Sequence, residues 1–464
     1  MFLEALFSPK TVCVVGASRN ADSWGHVILK NLINSGYAGS IFAVNPNADS
    51  ILGVKCHRSL RDVEAPIDLA IIVVPAKLVP CVLSEAKPNM IKYAVVISAG
   101  FREAGAEGRQ LEKEMIEIAR RNGTRIVGPN CMGLYNSYNG LGATFTSLLP
   151  REGGVSFISQ SGAVGTTMLA WAKIEGIGFS KFISLGNESD ISLHEALRFL
   201  ADDDSTKVIA IYMESVKDGR QLVEAFRYSS ERKPVIVMKV GITSAGAKAA
   251  ESHTGALAVE DSLIDGIFRQ FCIIRAKDPD ELFHLATSFA ELPMPKGRSA
   301  VVVSTGGGWA VECSDLAEME GIALPPLPEI VSSIADRRLP RYWSKKNPID
   351  MVATPDPEAY YEILEAALCQ GTYDFAFLIG YGTIGSIAMP FITDKEVEMT
   401  QRVLRLIERT EKPVYIVDFL GPSRSESARA FMKLGLPVYI NVSSAVRVAS
   451  EMIRYNEYRK KMRK

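Results

Sequence analysis

The sequence predicts an α/β fold of three parallel-sheet domains, on two observations. Short apolar runs that end at Gly, Pro or Ser alternate with longer stretches of helical periodicity. Three blocks also open alike, with an apolar strand, a turn carrying glycine, and then a helix: residues 11–15 before Gly16, 155–158 before 159–165, and 300–303 before 304–308. Alternation of this kind marks βαβ units, whose crossovers make a sheet parallel and cover both of its faces.

Taken in order, the first block has expected strands at 11–15, 41–44, 69–74, 93–97 and 125–127, with helices at 25–34 and 109–121. It ends near 128, which defines a domain 1–128. A polar, Gly-rich stretch at 133–154 then precedes a second rhythm, with strands at 155–158, 179–184, 208–213 and 234–240 and helices at 163–175, 193–200, 222–228, 261–268 and 279–291. This is the domain 129–291. Residues 241–255 within it are small. The stretch 292–298, LPMPKGR, holds two prolines and a glycine and reads as a linker. The third domain, 298–464, has strands at 300–303, 375–379, 414–417 and 438–440. Its tail, 455–464, is basic and reads as a solvated helix end. The three openings make the domains Rossmann-like or flavodoxin-like.

Composition narrows the function. At 464 residues the chain is long enough for two to four domains. Lys and Arg number 52 against 53 Asp and Glu, a net charge of −1, which argues against nucleic-acid binding through bulk charge. No apolar run reaches the roughly 18 residues of a membrane span. The start MFLEALFSPK has no basic n-region, so neither a leader nor a membrane is expected. The seven cysteines form no CxxC; Cys13, Cys131 and Cys272 sit in or beside apolar runs and read as reduced core thiols. A cytoplasmic location follows. No pair among the five histidines has metal-ligand spacing, so no metal site is expected on this chain.

The strand ends carry the candidate chemistry. Gly16-Ala17-Ser18 follows the first strand, but the second ends in Asn45-Pro46, where a nicotinamide-dinucleotide fold carries an acidic ribose partner. That weighs against a nicotinamide-dependent oxidoreductase. It leaves open a phosphorylated ligand at the following helix or a plain packing turn. In Ser159-Gln160-Ser161-Gly162, Ser161 is placed to cap a helix whose free N–H groups suit a phosphate; an ordinary cap is the other reading. His253 lies in Glu251-Ser252-His253-Thr254-Gly255-Ala256, without the apolar periodicity of a core histidine. A neutral imidazole there can attack a phosphoryl group, or it can be a solvated loop residue. Glu214, at a neighbouring strand end, is a candidate partner for its other nitrogen. Asn187-Glu188-Ser189-Asp190 follows another strand, with Asp190 readable as a helix cap. Gly128-Pro129-Asn130-Cys131 and Ser98-Ala99-Gly100 are further strand-terminal turns, each as compatible with a ligand as with a plain turn.

Together these segments make the chain resemble, over essentially its whole length, the alpha subunit of the ADP-forming acetyl-CoA (acyl-CoA) synthetases, relatives of succinyl-CoA synthetase. Ser252-His253-Thr254-Gly255-Ala256 is similar to the family's phosphohistidine loop. The segment 159–165 resembles its phosphate-binding helix start, with Ser161 and Gly162 on the phosphate. Glu214 matches the glutamate that steadies the histidine. Gly16, Ala17, Ser18, Asn45, Pro46, Val74, Pro75, Ser98 and Gly100 match turns that face coenzyme A, and Asn130 and Asn187 match segments that frame the acyl site.

The resemblance implies that an acyl-CoA, acetyl-CoA by default, reacts with phosphate to give an acyl phosphate. The phosphoryl group then passes through His253 to ADP. Nothing in the chain resembles an ATP-grasp module. The resemblance therefore implies a beta subunit that binds ADP or ATP with Mg2+, in an alpha2-beta2 heterotetramer. The alternative is a non-catalytic CoA-binding regulatory module, which would need neither His253 nor Glu214.

Overall fold

The computed structural model describes residues 3–246, 248 and 260–462. It shows an α/β fold with three mostly parallel sheets. The chain falls into two compact units, Met1–Leu282 and Phe283–Lys464.

The first unit holds two sheets. One runs β3-β4-β2-β1-β5-β6-β7, from β1 (Thr11–Val15), β2 (Ser40–Val44), β3 (Ser50–Ile51), β4 (Val54–His57), β5 (Ile67–Ile72), β6 (Ile91–Val96) and β7 (Arg125–Val127). Its pairs are parallel except the short β3–β4. Val12, Cys13, Val14 and Val15 are all buried, since helices cover both faces; this is why β1 reads as an unbroken apolar run.

The other sheet runs β14-β13-β12-β10-β11-β8-β9, from β8 (Gly133–Asn136), β9 (Leu141–Thr144), β10 (Glu152–Ser159), β11 (Phe179–Ser184), β12 (Val208–Met213), β13 (Val235–Lys239) and β14 (Ile274–Arg275). β10 to β14 pair in parallel, whereas β8 runs antiparallel to both β11 and β9. The polar, Gly-rich stretch at 133–154 is therefore not a mere connection: it folds a hairpin onto the sheet edge. Its strands are buried on both faces, so they lack the apolar–polar alternation that signals a strand. Gly133, at φ +97°, lies where a Cβ would be 2.0 Å from the Ala143 carbonyl oxygen.

Cross-ties join the two sheets. Phe7 stacks on Phe199 with centroids 5.0 Å apart. The Asn136 and Asn139 amides each donate to the Phe7 carbonyl at 2.9 Å. Asn31, on the helix Trp24–Asn34, donates to the carbonyls of Thr144 and Thr146 at 2.7 Å each. The buried amide nitrogens of Asn31 and Asn136 thus find their acceptors across the junction.

The second unit has one sheet, β16-β15-β17-β18-β19, parallel throughout, from β15 (Ala300–Ser304), β16 (Ile349–Asp350), β17 (Phe375–Ile379), β18 (Val414–Val417) and β19 (Val438–Tyr439). This is the flavodoxin-like order. One face of the last helix, Val442–Met462, is buried as far as Tyr455, whose ring meets Phe289 edge-on at 5.7 Å; residues 456–459 are half-buried and 460–462 exposed.

Glu396, on the helix Thr393–Thr410, is 4% exposed. Its Oε1 accepts the Gly385 N–H at 3.2 Å, while its Oε2 meets no hydrogen-bond donor. Burial raises its carboxyl pKa to about 7, against the pull of that N–H and with a push from Asp418. The folded state thus holds this proton more tightly than the unfolded chain does. The stability contribution is complete below about pH 4.5 and lost as pH rises through 7, a change of about 3 kcal/mol. Urea unfolding at pH 5 and pH 8 should show Glu396→Gln gaining on the parent by about that amount at the higher pH. Equal gaps at both pH values would refute the assignment.

Cys13, Cys131 and Cys272 are buried and unbridged, as expected. Among the described residues no helix is long and apolar enough to cross a membrane.

Candidate functional site

In the second sheet β10 is flanked by β11 and β12, so successive crossovers leave it on opposite sides. The carboxyl ends of strands at such a switch point are where doubly wound sheets open a ligand crevice. A cavity of about 660 Å3 lies there, within the first unit, between these strand ends and those of β5 and β6.

Its walls bring together Val74, Pro75, Ser98, Asn130, Ser161, Gly162, Asn187 and Glu214, site candidates from separate loops of the sequence. Gly16, Ala17, Ser18, Asn45, Pro46 and Gly100 do not line it; Gly16 packs against Val73 and Val74, which do, and Asn45 bonds to Ala17. His253 lies outside the described residues.

Each wall has a local cause. Ser161 caps the helix Gly162–Ile174, its hydroxyl accepting the Val164 N–H at 3.4 Å. Gly162 and Ala163, at the positive end of that helix, line the cavity. Glu214 follows β12. Tyr212, two residues earlier on the same strand, hydrogen-bonds it, and burial together with the Glu214 charge pushes the phenol up to about 12. Ser98 donates its hydroxyl to the Val74 carbonyl, tying the loops after β5 and β6. The wall there is apolar, with Val73, Ile97, Met132 and the Trp24–Phe145 pair, whose centroids lie 4.5 Å apart. Cys131 also faces the cavity, but burial pushes its thiol up to about 12, so it is no nucleophile near neutrality.

Asn187 anchors a polar network. Its amide donates to Glu103 Oε2 at 2.6 Å and Glu112 Oε2 at 3.0 Å, and its oxygen accepts from Asn130 Nδ2 at 3.4 Å. Burial pushes the Glu103 carboxyl up, but the Asn187 amide and the backbone N–H groups of Gly100 and Phe101 outweigh it and hold the group below the usual carboxylate range. Lys217 donates its ammonium to the carbonyls of Asn187 and Glu188, and desolvation lowers it to about 8. Asn130 (φ 55°) and Glu188 (φ 54°) are held in the left-handed region, strain that persists only where surroundings over-determine the backbone.

One expectation changes. Asp190 does not cap the helix Leu193–Asp202; Ser192 does, in a capping box with Glu195. Asp190 instead pairs with Arg125 at 2.7 Å and accepts the Ile126 N–H at 2.9 Å, because β7 begins beside it. Asn45 spends its amide on the protein itself: Nδ2 donates to the Ala17 carbonyl at 2.6 Å and Oδ1 accepts the Asn47 N–H at 2.7 Å. Sequence reasoning missed Arg102, Glu103, Glu112 and Lys217, and it passed over the side chain of Gln160. Only Gln160, two residues before a helix start, carried a positional signal.

Residues 10–137 match a CoA binding domain, and residues 152–289 match a succinyl-CoA ligase like flavodoxin domain. The ADP-forming acetate–CoA ligase I subunit alpha of Pyrococcus furiosus is 36% identical over 99% of both chains. The ADP-forming acetate–CoA ligase I of Archaeoglobus fulgidus is 37% identical over 99% of this chain and 65% of its own, longer length. The solved dinucleotide-forming acetyl-coenzyme A synthetase 1 of Ca. Korarchaeum cryptofilum, in complex with phosphate and ADP, superposes with a TM-score of 0.90 at 32% identity, covering 99% of this chain and 98% of that one. The chain belongs to the ADP-forming acetate–CoA ligase alpha-subunit family.

Proposed function

We propose that this chain is the alpha subunit of an ADP-forming acyl-CoA synthetase, interconverting acyl-CoA, ADP and phosphate with the free acid, CoA and ATP. The observation that carries the reading is the single cavity at which the Ser161–Gly162 helix start, Glu214, and Asn130 with Asn187 converge. A phosphate oxygen attacks the thioester carbonyl, the C–S bond breaks, and CoA leaves as its thiolate. The helix start at Ser161 and Gly162 offers N–H groups to the phosphate. His253 then attacks phosphorus, the P–O bond to the acyl group breaks, and the carboxylate departs. Glu214 steadies the imidazolium on the side away from the phosphoryl group. CoA lies along the loops of Gly16, Ala17, Ser18, Asn45, Pro46, Val74, Pro75, Ser98 and Gly100. Acetate is the proposed acid, by analogy with the relatives' names.

A beta subunit of the ATP-grasp type is proposed to bring ADP or ATP with Mg2+, in an alpha2-beta2 assembly. Two observations support a partner: relatives of matching length are named alpha subunits, and the longer Archaeoglobus chain extends beyond the matched part. Among the described residues no three His, Cys, Asp or Glu side chains are grouped to hold a metal ion.

The test is to incubate the reconstituted pair with Mg2+ and ATP labelled at the γ-phosphate. An acid-labile, base-stable label mapping to His253, discharged by acetate and CoA, is the expected result. A pair that makes ATP from acetyl-CoA without ever carrying that label would sink the reading.

A further inference from the structure

Gln160 stands at the centre of the switch point, on the turn between β10 and the phosphate-facing helix, and is 7% exposed. Its side chain reaches both neighbouring strand ends. Oε1 accepts the N–H groups of Glu214 at 2.7 Å and Ser215 at 2.9 Å. Nε2 donates to the Ser215 carbonyl at 3.1 Å and to Glu188 Oε2 at 3.0 Å. The other Glu188 oxygen accepts the Leu193 N–H at 2.6 Å. The carbonyl oxygen of Gln160 therefore meets only donors and its amide nitrogen only acceptors, so its orientation is determined. A buried amide with every position filled is costly to move, because any shift strands a desolvated group.

The arrangement has a consequence for chemistry. Glu214 is held through its backbone from three sides: Gln160 takes its N–H, the Lys239 ammonium donates to its carbonyl at 3.0 Å, and β12 supplies the preceding residues. Of these, only Gln160 belongs to the segment that also carries Ser161 and Gly162. Beyond the β10–β12 pairing and the bond from the Gln160 N–H to the Tyr212 carbonyl at 3.2 Å, this side chain carries the tie on past the strand ends, joining the loop that offers N–H groups to the phosphate to the loop that carries the carboxylate, and through Glu188 to the loop of Asn187. A carboxylate that must face an imidazole opposite a phosphoryl group needs such a fixed relation, since displacement by about 1 Å costs on the order of a hundredfold in rate.

We infer that Gln160 is a positioning residue for phosphoryl transfer, holding Glu214 in register with the phosphate-facing helix. The inference rests on the proposed role of Glu214 and His253. Gln160 lines the cavity, but both polar ends of its side chain are spent on the protein, so its role runs through Glu214.

The test is the rate of His253 labelling in the reconstituted pair, measured in single turnover, for Gln160→Ala, Glu214→Gln and the double variant, with CoA affinity measured alongside. The expected result is that Gln160→Ala labels at least about tenfold more slowly with CoA affinity within about twofold. The double variant should then be no slower than Glu214→Gln alone, because a residue acting through Glu214 has nothing left to position. Labelling at the parent rate in Gln160→Ala overturns the inference. So does a double variant whose loss is the product of the two single losses, which is what a general structural role would give. If Gln160→Ala does not fold, Gln160→Asn, whose shorter side chain draws the acceptor back from both N–H groups, replaces it in the same cycle with the same expected and overturning results. Failure of the underlying reading looks different: label persisting in His253→Ala, or Glu214→Gln labelling at the parent rate, removes the site itself.

Discussion

Gly25→Ala is expected to destabilise the first unit by about 3 kcal/mol or more and to abolish CoA binding. Gly25 is the second residue of the helix Trp24–Asn34, where alanine ordinarily stabilises by a few tenths of a kcal/mol or more. Here the added Cβ would lie 2.1 Å from the Gly16 carbonyl oxygen and 3.2 Å from the Ala17 Cα, both backbone atoms. The turn cannot retreat: Gly16 is itself at φ +93°, where a Cβ would lie 2.6 Å from the Val73 carbonyl oxygen. Helix and turn would have to separate, and the cavity wall at Trp24 and Val73 would go with them. Overpacking against backbone sits at the severe end of such changes. Urea unfolding and calorimetric titration with CoA check this, and a variant as stable as its parent would refute the packing account.

Glu112→Ala is the second large effect, expected to cost about 3–5 kcal/mol. Glu112 is 8% exposed on the helix Ala106–Arg121. Oε2 accepts from the Asn187 amide at 3.0 Å and the Arg102 N–H at 3.2 Å, Oε1 accepts the Ser189 hydroxyl, and the Arg102 guanidinium stands 3.9 Å away. Truncation strands several donors in a buried place at once. Asn187 would lose half of its amide anchorage, so KM for acyl-CoA should rise as well. Glu112→Gln, which keeps one acceptor oxygen, should lose less than half as much in both measurements. Equal losses would show that the acceptor count is not what matters.

How far these features were readable follows from their physics. Strands buried on both faces, such as Thr11–Val15 and Val208–Met213, announce themselves as unbroken apolar runs, and their bounds coincide with the expected ones. The hairpin of β8 and β9 did not, because four-residue strands rich in glycine and polar residues carry no period. The cavity walls were readable as strand-terminal turns, since a parallel sheet brings those turns to one edge. What lies behind them was not. Glu112 shares its helix with Glu107, Glu114 and Glu117, all exposed, and only the fold shows which carboxylate turns inward. Asp190 read as a cap because it precedes a helix; its partner Arg125 is distant in sequence, beyond the reach of any local rule.

The amide clamp of Asn31 on the last strand of the second sheet bears on how this chain can be cut and recombined. A fragment ending before Gly133 would leave the Asn31 amide and the Phe7 carbonyl without acceptor or donor, and would lay bare the ring face that Phe199 covers. Chimaeras with related chains should therefore exchange the first 282 residues as one cassette rather than splice them at the Gly128-Pro129 turn.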